Sequence, residues 1–200
     1  MNARLCGLVL VVAALLGAVV SPAHADFSTD LGAKLNPLSP YYNNIPRAAQ
    51  ANDVGKIRSL LSDGYSPNQT DENGGTTGLH VAASSGNLQI IAILYKAGAD
   101  INQRDNVGST PLDYAAERGR PEAVKLLLDM KANIDLGNKN GMTPLMFAAK
   151  AGDIESVRAL LAHGANPNIS DYTGRDAVGW ALESHRQAVV ELIRDAQRKH

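Results

Sequence analysis

The 200-residue sequence predicts an all-α chain, a solenoid of about five helix-turn-helix units joined by short hairpin-like loops. Three observations carry that expectation. Residues 141–152, GMTPLMFAAKAG, recur at a 33-residue step as GSTPLDYAAERG (108–119), GTTGLHVAASSG (75–86) and a worn copy, GRDAVGWALESH (174–185). Each copy runs into a second stretch whose apolar residues return at helical spacing: Leu88, Ile90, Ile91, Ile93 and Leu94; Val124, Leu126, Leu127 and Leu128; Ile154, Val157, Leu160 and Leu161. Only 4% of residues are aromatic against 44% apolar, so a continuous core needs small residues in close contact. The pairs Ala82/Ala83, Ala115/Ala116 and Ala148/Ala149 supply them.

Taken in order, residues 1–25 stand apart. Arg4 precedes an uncharged apolar run at 5–20, and Ala23-His24-Ala25 follows as a small-residue cleavage site, the pattern of a secretory signal peptide. The run is shorter than the ~20 residues a helix needs to cross a bilayer, so no membrane insertion is expected after cleavage. Cleavage removes Cys6, the only cysteine, and leaves 18 basic against 20 acidic side chains. The mature chain therefore has no internal disulfide, and its balanced charge argues against nucleic acid as a partner. Residues 26–44, with Gly32, Pro37 and Pro40, read as an irregular leader. The repeat domain spans 45–200, with units at about 42–74, 75–107, 108–140, 141–173 and 174–200.

Within a unit, Thr110-Pro111 and Thr143-Pro144 place a hydroxyl at the helix N-cap and a proline at the first helical position, where its missing N–H is not needed. Asp176 takes the capping role in the last unit, and Gly78 after Thr77 leaves that helix start looser. Pro121 opens a second helix. Gly64, Gly98 and Gly164 end second helices as left-handed caps, and the same frame puts Lys131 in that slot. Lys56 and Ser59 at the start, and Gln187 and Arg194 at the end, replace apolar residues of inner units, as polar capping repeats require.

The pattern G-x-T-P-L-x-x-A-A-x-x-G, with Gly98-Ala99-Asp100-Ile101-Asn102 and Gly164-Ala165-Asn166-Pro167-Asn168 as its second half, closely resembles the ankyrin repeat over 45–200. The resemblance implies structural roles for several polar residues. His80 falls on the family's TPLH histidine, which bonds to its own repeat's threonine and a neighbouring loop. Asp100 and Asp135 bond loop amides, and the glycosylation sequons at Asn68 and Asn168 are by-products of the return loop. It also implies a concave binding face, made of loop tips and the exposed side of first helices. Asn106, Val107, Arg118, Lys139, Met142, Lys150, Tyr172 and Arg175 occupy those slots, and Tyr, Arg and Met are types enriched at interfaces. The slot holding Val81, Tyr114, Phe147 and Trp180 is expected to pack as core.

No nucleophile elbow, phosphate loop or dinucleotide fingerprint occurs, and His163 and His185 have no ligand partner at helical spacing. The expectation is a non-catalytic protein–protein interaction module without metal or cofactor, exported to the periplasm and monomeric. Its resemblance to exported bacterial ankyrin proteins implies an accessory or protective role toward a periplasmic enzyme such as a catalase. A secreted effector that binds a host protein is the alternative, and a hydrolase or metal enzyme is the reading from another class. N-terminal sequencing of the exported protein is expected to begin at Asp26. A membrane-bound product retaining residues 5–20 contradicts export by cleavage.

Overall fold

The computed structural model describes residues 44–71 and 75–199. The expected signal peptide, and the leader apart from Asn44, lie outside the described residues. Among the described residues ten helices follow one another: α1 (Ile45–Gln50), α2 (Val54–Ser62), α3 (Gly78–Ser85), α4 (Leu88–Lys96), α5 (Pro111–Glu117), α6 (Pro121–Asp129), α7 (Pro144–Ala151), α8 (Ile154–Ala162), α9 (Ala177–Glu183) and α10 (Gln187–Gln197). Among the described residues the one β pairing is an isolated bridge between Thr70 and Thr77.

Side chains at the helix starts account for most boundaries. Asp176 Oδ1 accepts the Gly179 amide at 2.8 Å, as its capping role requires. Second helices are capped as well: Asp53 Oδ1 accepts from the Lys56 amide at 2.8 Å and Asn87 Oδ1 from Ile90 at 3.0 Å. Thr143 departs from expectation, since it holds the N-cap position before Pro144 but its hydroxyl makes no capping bond. Gly78 is explained by packing: a Cβ there would lie 2.7 Å from Ile45 Cγ2, so glycine admits the buried first residue of α1.

The odd-numbered helices form one row and the even-numbered helices another. Neighbours in the first row pack more closely than neighbours in the second. Ala82, Ala83, Ala115, Ala116, Ala148 and Ala149 are fully buried at those contacts. Leu182 stands where the second alanine of the pair would be and keeps 46% of its surface exposed. The second-row stripes are core at Ile90, Ile91, Leu94, Val124, Leu127, Val157 and Leu160. Leu88 and Ile154, expected in the same stripes, are 40% and 36% exposed because their helix-start position turns them outward. Gln187 occupies the slot of Leu88 and is exposed like it, so its polarity there does not mark a cap.

Return loops are tied to one another by side-chain carbonyl and carboxylate oxygens. Asn68 Oδ1 accepts the Asp100 amide, Asn102 Oδ1 the Asn133 amide, and Asp135 Oδ1 the Asn166 amide, at 2.8, 2.8 and 3.0 Å. Asp100 Oδ1 also accepts from Asn102 at 2.9 Å. The two aspartates thus bond loop amides as the family resemblance implied.

Lys131 adopts φ +67°, in the left-handed region occupied by Gly64, Gly98 and Gly164. A Cβ at those three glycines would meet nothing within 4 Å, so the cost at Lys131 is conformational rather than steric. Lys131→Gly is expected to raise stability by up to ~1 kcal/mol, read as a higher denaturation midpoint. An equal or lower midpoint contradicts this account of the loop.

Candidate interaction surface

The loop tips before Gly108, Gly141 and Gly174 are each organised by one Asx residue three positions before that glycine. Asp105 Oδ1 accepts the amides of Val107 and Ser109 at 2.9 and 2.8 Å. Asn138 Oδ1 does the same for Asn140 and Met142 at 2.9 and 3.1 Å, and Asp171 Oδ1 for Thr173 and Arg175 at 2.8 and 3.0 Å. Consecutive tips join through the backbone, Lys139 N–H to the Val107 carbonyl at 3.1 Å and Tyr172 N–H to the Asn140 carbonyl at 3.0 Å. The signal for these Asx residues is present in the sequence, where positions 105, 138 and 171 keep the 33-residue step.

The second carboxylate oxygen reaches the first helix. Tyr114 Oη donates to Asp105 Oδ2 at 2.9 Å, and Trp180 Nε1 to Asp171 Oδ2 at 3.0 Å. In the repeat between them Phe147 has no donor, and the tip residue is Asn138 instead of aspartate. Burial, then the bond to Asp105, pushes the Tyr114 phenol up. Burial alone would raise the Asp171 carboxyl, but the donors Thr173, Arg175 and Trp180 outweigh it and hold the group below the usual carboxylate range. Val81, Phe147 and Trp180 are half-buried against the core, and Tyr114 is half-buried with its ring edge-on to His80, so the slot expected to be core is only partly so.

The open side of Trp180 is bordered by cations, with Lys150 Nζ 4.8 Å and Arg175 Cζ 4.5 Å from its ring centroid. Arg175 also pairs with Glu183. Of the slots assigned to the binding face, Asn106, Arg118, Lys139 and Lys150 are exposed, Val107 and Tyr172 are 57% and 80% exposed, and Arg175 is half-exposed. Lys139 Nζ donates to the Asn106 carbonyl at 2.8 Å, which joins two of them directly. Met142 is the exception. It is 7% exposed and its side chain packs in the hydrophobic core rather than on the face.

Beneath this surface lies the TPLH slot. His80 Nδ1 accepts the Thr77 amide at 3.1 Å, which leaves the proton on Nε2, and Nε2–H donates to the Ser109 carbonyl of the next repeat at 3.1 Å. Burial pulls its pKa down against that carbonyl's opposing pull. Asp113 occupies the same slot one repeat on. Its Oδ2 accepts the Thr110 amide and hydroxyl at 2.8 and 3.0 Å, while Oδ1 is buried with no hydrogen-bond partner. Desolvation by burial raises this carboxyl to about 7, against the Thr110 donors.

Among the described residues no three His, Cys, Asp or Glu side chains converge as a metal site would require, and no helix is long and apolar enough to cross a membrane. An open groove of ≈ 380 Å³ on the second-helix side, lined by Arg58, Gln89, Ala92, Ile93 and Lys96, contains no acid–base pair.

A family model described as ankyrin repeats in three copies matches residues 46–138 and 130–199. The chain is similar to an ankyrin repeat-containing protein of Schizosaccharomyces pombe, 44% identical over 62 residues, which are 31% of this chain and 30% of that protein. It is also similar to a palmitoyltransferase of Naumovozyma castellii, 31% identical over 68 residues, 34% of this chain and 9% of the enzyme. The matched stretch thus spans less than a third of either relative.

Asp113 gives the support of this surface a measurable signature. Its carboxyl titrates near the ordinary 3.8 when unfolded and near 7 when folded, so the fold carries no penalty for it below pH 4. The penalty grows as pH rises from about 4 and is complete above about 7, on the order of a few kcal/mol. Asp113→Asn, which keeps an acceptor for Thr110, is expected to match the parent protein near pH 4 and to exceed it increasingly toward pH 8. Denaturant titrations at several pH values measure the difference, from which His80 cancels. A pH-independent difference contradicts the raised carboxyl.

Proposed function

The chain belongs to the ankyrin-repeat family, and from that membership we propose that it is a non-catalytic protein–protein interaction module whose first-helix row and loop tips receive a partner. The observation that carries this reading is the contrast between frame and face. Frame positions are buried and hydrogen-bonded, while the tip residues Val107 and Tyr172 are 57% and 80% exposed on backbone that is already ordered. The titratable groups with raised or lowered pKa, His80 and Asp113 among them, serve caps and loop links, which favours a scaffold over a catalyst.

We place the module outside the cytoplasm, as a monomer delivered by cleavage after Ala25. The apolar run at 5–20 and the Ala23-His24-Ala25 site support that placement. The relatives named above are fungal, so the exported bacterial type is argued from this chain's own residues. The domain division follows the same reasoning: signal peptide, leader, then repeats from residue 45 onward. An accessory role toward an enzyme of that compartment is the specific function proposed, reached through the resemblance to exported bacterial ankyrin proteins.

Crosslinking in intact cells followed by mass spectrometry identifies the partner, and substitutions then locate its site. Asn106, Lys139 and Tyr172 replaced together by alanine should alter stability by no more than about 0.5 kcal/mol each while weakening capture by ~2 kcal/mol or more. A matched set on the exposed side of the second helices, Lys125, Glu155 and Arg158, should leave both unchanged. Circular dichroism checks folding. Loss of capture by the second set but not the first refutes the assigned face.

A further inference from the structure

Trp180 is the single tryptophan of the chain. Its ring is half-buried, its indole N–H is committed to Asp171, and two cations stand against it. Arg175 is neutralised by Glu183, whereas Lys150 belongs to no ion pair among the described residues. Cation–π attraction at an exposed ring is weak, ~0.5–1 kcal/mol, and two cations at one ring repel each other. The remaining exposed charge on the same face is mostly basic, Arg118 and Lys139 against Glu117. Next to Asp171 in the same tip, Tyr172 lies against Gly141 with 80% of its surface open.

The geometry points to an acidic protein segment as the occupant of this end of the face: a partner carboxylate meets Lys150 beside Trp180, and a neighbouring apolar side chain lies on Tyr172. This inference rests on the interaction-module reading and specifies its partner's chemistry. A discrete carboxylate relieves the uncompensated lysine. A nucleic acid would instead bring a continuous run of phosphates past Glu117 and Glu183, on a chain of net charge -1.

Because Trp180 is the sole tryptophan, its emission reports the site directly. The full protein is titrated with a glutamate- and leucine-containing peptide, the same peptide with lysine for glutamate, and a single-stranded DNA oligonucleotide of matched charge. The glutamate peptide alone should shift the emission saturably, with affinity that falls as salt is added. Lys150→Glu, at an exposed position, should remain folded by circular dichroism, lose about tenfold or more in affinity for that peptide, and gain affinity for the lysine peptide. The inference is overturned if the lysine peptide or the oligonucleotide titrates equally well, if no probe shifts the emission, or if Lys150→Glu leaves glutamate-peptide affinity unchanged. A crosslinked partner that is lost with the Asn106, Lys139 and Tyr172 substitutions, yet held equally by Lys150→Glu, overturns the acidic segment and leaves the module standing.

Discussion

The distance between neighbouring first helices is the constraint on which the rest of the stack depends. Six alanines at that contact are fully buried, so backbone rather than side chain sets the approach. Adding methylenes to such a seam costs ~1–3 kcal/mol at each site, and the cost recurs at every repeat. Where the seam runs out, the restriction lifts: Leu182 fills the alanine slot of the last pair and stands half in solvent. Spacing is close on the first row and looser on the second, and successive loop tips lie beside one another, joined by backbone bonds.

Once the tips are adjacent, polar satisfaction becomes a problem for each loop to solve with its neighbour. Loop amides have no helix or sheet ladder to join, and an unpaired buried amide is costly. Asn68, Asn102 and Asp135 resolve this across repeats, and Asp105, Asn138 and Asp171 resolve it within each tip. The same short side chains recur at the same steps because an Asx oxygen reaches an amide two residues on and bonds it more strongly than a Ser or Thr hydroxyl does. Asp105 and Asp171 add a second task with their other oxygen, fastening Tyr114 and Trp180 to the tips.

Periodicity made the frame legible. Repeat step, helix order, the left-handed Lys131 and the Ala seam follow from reading one unit against the next, while the roles of His80 and Asp100 came from the family resemblance. What escaped that reading is what breaks the period. Met142 shares its slot with the polar Ser109 and Arg175, which suggests exposure, yet its apolar side chain is buried in the core. Leu88 looked like core because it begins an apolar stripe, yet a helix start aims its side chain away from the seam. Asp113 is silent in sequence, since its raised pKa comes from burial beneath residues distant in the pattern. The Lys150–Trp180–Arg175 cluster draws on two repeats and on no motif.

Variation and exposure coincide on this molecule for a physical reason. A frame residue is constrained by two neighbours, the repeat before and the repeat after, so a substitution there must be matched twice. Asn106, Lys139 and Tyr172 occupy one exposed tip slot, where the bonds between tips run through the amides of Lys139 and Tyr172 and a side-chain bond, from Lys139 Nζ, goes to the Asn106 carbonyl, so asparagine, lysine and tyrosine all fit there. Because Asx bonds already order that backbone, a partner meeting the tips need not supply the entropy of arranging them, which is the usual cost of binding through loops. The selectivity of such a face then depends on a few side chains rather than on the fold. At the C-terminal end those side chains are an aromatic ring, a free lysine, and an arginine already held by its own glutamate.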